Sequence, residues 1–338
     1  MENNEIVKCL FCGSSATLKK KGITGYQQPD VFNIYHCPNC NTAFSLDRVE
    51  TAKMYEDIYL NGEHVPGYDR YWKYARNVKK SRHPMAYLSK SEETYWSVGE
   101  AIKTVVQNKK TAKILEIGSG LGYLTYSLRS ENYNIIGIDV SDAAVQKAKE
   151  RFGDFYLHAD LFEYAQQYPA TYDVVILTEV IEHVENPLDF IRSIKMLLKT
   201  GGHTIITTPN KTFYPSEIVW GTEHPPVHCW WFSEESMNYA AKINNMTIEF
   251  VNFKSYYKKR PLVIDPKKIV EGESMPSTLD SKGSLINGKT SLAARLRFVL
   301  IEFGLIKGLY NFYKKITVVN PMVCKDRGTI LCAILKKV

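Results

Sequence analysis

The stretch KILEIGSGLG, residues Lys113–Gly122, decides the fold of this chain. It reads as a short apolar strand that carries an acidic residue and is followed by glycines at every second position. Glycine lacks a Cβ, so its backbone can turn sharply and approach a ligand closely. The stretch therefore predicts a strand that ends in a ligand-binding loop.

The acid in this stretch, Glu116, indicates the charge of the ligand. In a dinucleotide site the glycine loop faces a pyrophosphate, and a carboxylate just ahead of the loop would repel that anion. We therefore expect a ligand with positive charge near the loop. S-adenosylmethionine, which has an ammonium and a sulfonium centre, meets this requirement.

The chain here resembles the class I S-adenosylmethionine-dependent methyltransferases, whose first motif has the form ExGxGxG. Residues at its positions are Glu116, Gly118, Gly120 and Gly122. Further landmarks follow in the order that this resemblance implies. NIIGID, from Asn134, and YLHAD, ending at Asp160, read as the second and third strands, and YDVVILTEV, from Tyr172, and GGHTIITTPN, from Gly201, as the fourth and fifth.

These landmarks supply the expected contacts to the cofactor. Asp139 lies about 20 residues beyond the glycines, where a carboxylate binds the ribose hydroxyls. The resemblance implies that Asp160 accepts a hydrogen bond from the adenine amino group and that Leu161 lies beside the ring. The other expected contacts are Ser119, Val140 and Thr178.

The predicted fold class is α/β, with a Rossmann-like, seven-stranded methyltransferase sheet that has helices on both faces. MTIEFVNF, from Met246, and GTILCAILKK, from Gly328, would form the terminal antiparallel hairpin of that sheet. We expect a zinc ribbon over 1–48, a helical cap or lid over 49–110 and the methyltransferase domain over 111–338, with an insertion at 258–327 between the last two strands.

Four of the seven cysteines form two CxxC pairs, Cys9 with Cys12 and Cys37 with Cys40. Two such pairs can place four thiolates tetrahedrally around Zn²⁺, and their separation is close to that of zinc ribbons. Disulfides are the alternative, which the odd cysteine count and a reducing compartment both disfavour. Because sulfur would fill all four positions, this zinc would be structural rather than catalytic.

The segment after the ribbon is rich in aromatic residues, and helices at this place in the fold often cover the cofactor. Tyr68 and Tyr71 are our candidates for contacts to the methionine end, and packing of the lid against the core is the alternative role. The insertion carries apolar residues near one helical face between 292 and 310. It would form a second lid over the acceptor pocket or a helix on a membrane surface.

A cluster of acidic residues and histidine follows the fourth strand: TEVIEHVENP holds Glu179, Glu182 and His183, and His228 comes after the fifth strand. This pattern resembles the ubiquinone-pathway O-methyltransferases and the small-RNA 3′-end 2′-O-methyltransferases, which are understood to hold a divalent ion with two Glu and two His. The residues that would bind Mg²⁺ or Mn²⁺ are then Glu179, Glu182, His183 and His228. Two alternatives stay open: His183 acts as a general base without metal, or the cluster only stabilises a helix. His224 also could replace His228.

Length, charge and hydropathy bound the function. The chain has 338 residues and a formal net charge of +7, which permits an anionic substrate without requiring one. It lacks an apolar run of membrane-spanning length, and its start, MENNEIVK, has no features of a secretory signal. We therefore expect a cytoplasmic protein.

The sequence supports three functional hypotheses. The first is O-methylation of a hydroxyl on a small molecule or saccharide by in-line transfer from S-adenosylmethionine. The second is 2′-O methylation of RNA, against which stands the absence of a long basic stripe interleaved with aromatics. The third is a non-catalytic binding protein that keeps the fold.

Overall fold

The computed structural model describes residues 5–47, 54, 62, 63, 65, 68–213, 224–260, 277–286 and 326–338. These residues form two β-sheets with helices around the larger one. The helix predicted between 292 and 310 and most of the insertion at 258–327 lie outside the described residues. The boundaries at 48 and 110 stay predictions.

The large sheet has seven strands in the described part of the chain, and its order is β11-β12-β9-β8-β5-β6-β7. The strands are β5 (Lys113–Ile117), β6 (Asn134–Asp139), β7 (Tyr156–His158), β8 (Tyr172–Thr178), β9 (Leu198–Pro209), β11 (Met246–Phe250) and β12 (Ile330–Lys337). β12 runs antiparallel to β9 and β11, and the other neighbours are parallel. The predicted fold class and terminal hairpin are confirmed.

Helices connect these strands and cover the sheet. The described helices are α1 (Asp69–Val78), α2 (Pro84–Ser91), α3 (Glu93–Val105), α4 (Tyr123–Arg129), α5 (Asp142–Phe152), α6 (Leu161–Gln167), α7 (Pro187–Leu197), α8 (Glu234–Ile243) and α9 (Lys254–Lys259). Buried apolar side chains lie on both sheet faces in two clusters. No helix in this part of the chain is both long and apolar enough to cross a bilayer.

The parallel strands position the site. β5 lies between β6 and β8, so the segments that follow these three strands meet at the carboxyl edge of the sheet. Ligands of open α/β sheets bind in the crevice at this edge.

The small sheet is antiparallel, with order β1-β2-β3-β4-β10. Its first four strands are β1 (Ile6–Lys8), β2 (Ser15–Thr24), β3 (Val31–Cys37) and β4 (Thr42–Ser45). The fifth, β10 (Trp230–Trp231), comes from the segment after β9, and it pairs Trp230 with Phe44 and Trp231 with Ala43.

This pairing makes both tryptophans part of the small sheet. Both are buried. Trp230 lies against Phe11 and Phe44, with ring centroids 5.9 and 5.8 Å away, and its indole N–H donates to the carbonyl of Val184. Trp230 therefore joins the small sheet to the large one.

Residues 277–286 are the longest described stretch within the insertion, and they contact the loop after β2. The N–H groups of Thr278 and Leu279 both donate to the carbonyl of Tyr26, and Gln28 N–H donates to the carbonyl of Leu279. The insertion therefore reaches the loop between β2 and β3.

Candidate functional site

The loop after β5 requires glycine at two positions for steric reasons. Gly118 has φ +70°, and a Cβ there would lie 2.5 Å from Cγ2 of Val180. Gly122 has φ +78°, and a Cβ there would lie 2.7 Å from the Cβ of Ala148. At Gly120, φ +49°, an added Cβ would meet nothing within 4 Å. The loop thus packs tightly at its two ends and is open at its centre.

Asp139, at the end of β6, closes this loop. One carboxylate oxygen accepts from Gly120 N–H at 2.7 Å, and the other accepts from Ser141 N–H at 2.8 Å. Each oxygen keeps a second lone pair for a ligand hydroxyl. Val140, the next residue, is 69% exposed, which suits the contact to the cofactor expected of it.

Glu116 lies under the loop rather than on its surface. Its side chain is 2% exposed and accepts a hydrogen bond from the hydroxyl of Thr125 in α4. Burial raises the pKa of the Glu116 carboxyl to about 8, the hydrogen bonds of Thr125 oppose this rise, and the charge of Asp139 adds to it. A cation near the loop would favour the ionised form.

Asp160 and Leu161 lie at the start of α6. Asp160 is the N-cap: one carboxylate oxygen accepts from the N–H groups of Phe162 and Glu163 at 2.8 and 3.1 Å. Leu161 is buried in the core, whereas Phe162 is exposed. Phe162 is therefore the apolar side chain available to a ligand here. The sequence could have suggested this residue, because it directly follows Asp160 and Leu161.

Ser119 and Thr178 complete the predicted cofactor contacts. Ser119 lies between the glycines and is buried, and its hydroxyl has no hydrogen-bond partner in the described part of the chain. Thr178 is the last residue of β8 and is partly buried.

The predicted lid tyrosines lie against the helix that follows the glycine loop. Tyr71 stacks on Tyr123, the first residue of α4, at 6.4 Å and 17°, and Tyr68 meets Tyr71 edge to face. Sequence reasoning missed Arg70 between them, which donates to the Tyr71 hydroxyl at 2.9 Å and forms a salt bridge with Glu92 at 3.1 Å. The available signal was a cation directly before an aromatic residue of the predicted lid.

The segment after β8 contributes two residues to a compact group of metal-binding side chains. Donor atoms of Glu182, His183 and His228 all lie within 4.8 Å of one another. Nδ1 of His183 bonds the carbonyl of Val227 at 2.5 Å, which assigns the ring proton to Nδ1 and the acceptor lone pair to Nε2. The hydroxyl of Thr208 donates to Glu182 at 3.0 Å.

The surroundings of this group favour the neutral form of both imidazoles. Burial lowers the pKa of His183, and burial together with the neighbouring His183 lowers the pKa of His228 well below its ordinary value. The two rings are perpendicular, with centroids 4.6 Å apart. Neutral imidazole is the form that binds a metal ion.

Glu179 stands apart from this group of donor atoms. Its carboxylate accepts from the hydroxyl of Thr207 at 3.2 Å. Burial raises the pKa of Glu179 to about 7, and the positive charge of Arg70 opposes this rise. Its φ of +54° is unusual for a residue other than glycine and marks the sharp turn at the end of β8.

His228, not His224, belongs to the group. His224 is buried, and its Nδ1 bonds the carbonyl of Thr24 in β2 at 2.8 Å. Because a carbonyl can only accept, this nitrogen carries the ring proton, and burial lowers the pKa of His224. The structure thus gives the two histidines different surroundings, which the sequence did not separate.

The four cysteines of the CxxC pairs form a second group, with sulfur atoms within 4.8 Å of one another. The Sγ atoms of Cys9 and Cys40 are 3.8 Å apart, and those of Cys12 and Cys37 are 3.5 Å apart. No disulfide joins cysteines in the described residues.

Known proteins resemble the central part of this chain. Residues 92–249, slightly less than half of the chain, match the family model described as a methyltransferase domain. That segment is therefore similar to methyltransferase domains.

Two curated relatives are ubiquinone biosynthesis O-methyltransferases from Aliivibrio fischeri and Vibrio parahaemolyticus, each 33% identical over 104 residues. The aligned part covers 29% of this chain and 44% of either relative, so the chain spans less than half the length of these proteins. A solved S-adenosylmethionine-dependent methyltransferase from Archaeoglobus fulgidus is 15% identical, with a TM-score of 0.42, over 71% of this chain and 93% of that one.

Proposed function

We propose that this chain is an S-adenosylmethionine-dependent O-methyltransferase whose acceptor is a hydroxyl of a small molecule or saccharide. The observation that carries the proposal is the contact between the glycine loop and the segment that holds Glu182 and His183. Gly118 lies so close to Val180 that no Cβ fits between them. A methyl donor held by the loop and an acceptor held by the histidines would therefore be neighbours.

The loop and the strand ends supply the groups that a methyl donor requires. Asp139 offers lone pairs for the ribose hydroxyls, and Val140 and Phe162 offer exposed apolar surface for the adenine. The buried carboxyl of Glu116 favours a cation over a diphosphate. These are the residues with which this chain would bind and orient the donor.

We propose that Glu182, His183 and His228 bind a divalent ion. One carboxylate and two imidazoles are a common ligand set, and three protein ligands leave positions for an acceptor. Nδ1 of His228 is buried and has no hydrogen-bond partner among the described residues. The mixed oxygen and nitrogen donors suit Mn²⁺, Fe²⁺ or Zn²⁺ better than Mg²⁺.

When bound, such an ion would lower the pKa of an acceptor hydroxyl and hold its oxygen. The protein's own part is orientation: Val227 fixes the ring of His183 and Thr208 fixes the carboxylate of Glu182. Partners of this kind stabilise metal ligands in one geometry.

We also propose a structural Zn²⁺ among Cys9, Cys12, Cys37 and Cys40. At a Zn–S distance of about 2.3 Å, tetrahedral geometry puts the sulfur atoms about 3.8 Å apart, close to the 3.8 and 3.5 Å found here. The ribbon has too few residues for a large core of its own, so the metal would supply part of its stability.

Methyl transfer from S-adenosylmethionine labelled at the methyl group tests the activity. The probes are a catechol, a panel of saccharides, matched amines and a short RNA, and product NMR identifies the methylated atom. Transfer to a hydroxyl of the catechol or a saccharide is expected. Transfer to the amines or the RNA alone, or absence of donor binding in calorimetry, would refute the proposal.

A measurement of Mn²⁺ binding distinguishes the role of Glu182 from that of Glu179. We expect Glu182→Gln to lose Mn²⁺ binding and Glu179→Gln, the matched control, to keep it, because Glu179 lies outside the group of donor atoms. Activity that survives chelation with EDTA would leave His183 as a general base without metal.

A further inference from the structure

One short segment, residues 224–229, touches all three proposed metal ligands. It contains His228 itself. The carbonyl of Val227 bonds Nδ1 of His183 at 2.5 Å. The N–H of Cys229 donates to the main-chain carbonyl of Glu182 at 2.9 Å. The path of this segment therefore sets the position of every ligand.

The small sheet holds this segment at both ends. At the start, Nδ1 of His224 donates to the carbonyl of Thr24, and Tyr26 N–H donates to the carbonyl of Pro225, at 2.8 and 2.7 Å. At the end, Ser45 N–H donates to the carbonyl of Cys229 at 3.1 Å, directly before β10 pairs with β4.

A further contact ties the cysteine group to the large domain. The hydroxyl of Ser236, in α8, donates to the carbonyl of Cys40 at 3.1 Å, and the hydroxyl of Thr42 donates to Ser236 at 2.8 Å. Thr42 and Ser236 are both fully buried. The second CxxC turn is therefore fixed relative to the helix that follows β10.

We propose that the small sheet is a positioning element of the metal-ligand set, and that His224 is a positioning residue through which β2 holds the segment carrying His228. This inference rests on the metal site proposed above. Residues that orient metal ligands typically change metal affinity by 10–100-fold when they are replaced. His224 acts indirectly, because it holds the segment that orients His183 and supplies His228.

The test measures Mn²⁺ affinity from the electron paramagnetic resonance signal of free Mn²⁺, on full-length protein with one zinc per chain. We expect His224→Leu to bind Mn²⁺ about 10–100-fold more weakly than the wild type. The affinity for S-adenosylmethionine should be unchanged, because the glycine loop has no part in these contacts. This affinity also shows that the variant is folded.

Two polar variants of the same residue keep the test informative if the leucine variant does not fold. Asparagine carries an N–H near the place of Nδ1, whereas glutamine carries it near the place of Nε2. His224→Asn should therefore retain Mn²⁺ affinity better than His224→Gln. A role in packing alone would not favour the smaller asparagine.

His36→Leu is the matched control, because His36 also lies in the small sheet but its imidazole bonds the side chain of Asn41, at 3.0 Å, rather than residues 224–229. It should keep the wild-type Mn²⁺ affinity. Wild-type affinity in His224→Leu, or an equal loss in His36→Leu, would overturn the positioning role of His224 and leave the metal site untouched. A wild-type protein that binds no Mn²⁺ would overturn the metal site as well.

Discussion

The three motif glycines meet different physical demands. At Gly118 and Gly122 the neighbouring side chains exclude a Cβ, so these residues are needed for the fold itself. At Gly120 the space beside the backbone is open, and only the left-handed conformation favours glycine. The open side of Gly120 is the surface on which we expect the methyl donor.

Gly120→Ala should weaken donor binding more than it weakens the fold. A left-handed alanine costs about 1–2 kcal/mol, and its methyl group would occupy the open side of the loop. Gly201→Ala is the matched control, since Gly201 has φ +76° and also has nothing within 4 Å. Thermal melts should show similar losses for both variants, and calorimetry should show a loss of S-adenosylmethionine affinity for Gly120→Ala alone.

The raised pKa of Glu116 predicts that binding of the methyl donor releases a proton. Its pKa of about 8 means that the carboxyl is mostly protonated at pH 7. A nearby cation stabilises the carboxylate, so binding lowers this pKa and expels the proton. The affinity for S-adenosylmethionine should therefore rise with pH up to about 8 and then level off.

Calorimetry in buffers of different ionisation enthalpy counts these protons. At pH 7 the wild type should release up to about one more proton than Glu116→Gln, since glutamine can still accept from Thr125 but cannot ionise. Equal proton release in the two proteins would contradict the role that we assign to the carboxyl.

Among the elements, α6 shows how one residue can have two roles. Asp160 caps this helix, and the resemblance also makes it the adenine acceptor. Asp160→Ala should lose about 1 kcal/mol of stability, whereas Asp160→Ser should keep the cap. If the carboxylate also binds adenine, both variants should lose donor affinity, as calorimetry would show.

The N-cap of α8 provides the control for capping. Ser233 accepts from Ser236 N–H at 3.2 Å and lies outside the glycine loop and the strand ends that surround it. Ser233→Ala should lose stability as Asp160→Ala does and keep the donor affinity. Undiminished donor affinity in Asp160→Ser would limit Asp160 to the cap.

The elements of the large sheet could be predicted because their signals are local. A buried parallel strand is an apolar run, as in Tyr172–Thr178, and the glycine loop must directly follow its strand. β10 could not be predicted in the same way. Two tryptophans form a strand only because β4 offers an edge to them, and that edge lies about 190 residues earlier in the chain.

The candidate site was predictable in part, for the same reason. The ExxEH pattern at residues 179–183 identified Glu182 and His183 as candidates. The choice between His224 and His228 depended on the hydrogen bond of His224 to the carbonyl of Thr24. The separation of Glu179 from the metal-binding group depended on Thr207 and on the turn after β8. The contacts of His224 with Thr24 and of Glu179 with Thr207 join distant parts of the chain, so a local sequence pattern does not reveal them.

At the scale of the whole molecule, the small sheet and the large sheet with its helices share one hydrophobic core. Phe11, in the CxxC turn between β1 and β2, contacts Trp230 and Phe232 at ring distances of 5.9 and 5.6 Å, and also Tyr239 in α8. The same cluster continues to Val175 in β8. A continuous core of this kind favours unfolding as a single unit.

We therefore predict that differential scanning calorimetry shows one transition for both parts, and that S-adenosylmethionine raises it as a whole. Ligand binding stabilises only the unit that unfolds with the site. An independent small sheet would instead give a second transition that the ligand leaves in place. Phe11→Ala should lower the common transition by roughly 4–9 °C, because loss of a buried phenylalanine costs about 3–5 kcal/mol.

The matched variant Phe32→Ala removes a second buried ring of the small sheet, one that lies beside Gly25 rather than at the junction with the large domain. In a single cooperative unit both variants should melt in one transition, and hydrogen exchange in β8 should accelerate in both. If Phe32→Ala alone produced an early transition while β8 stayed protected, the small sheet would unfold by itself. Its hydrogen bonds to residues 224–229 would then be too weak to hold the metal ligands in place.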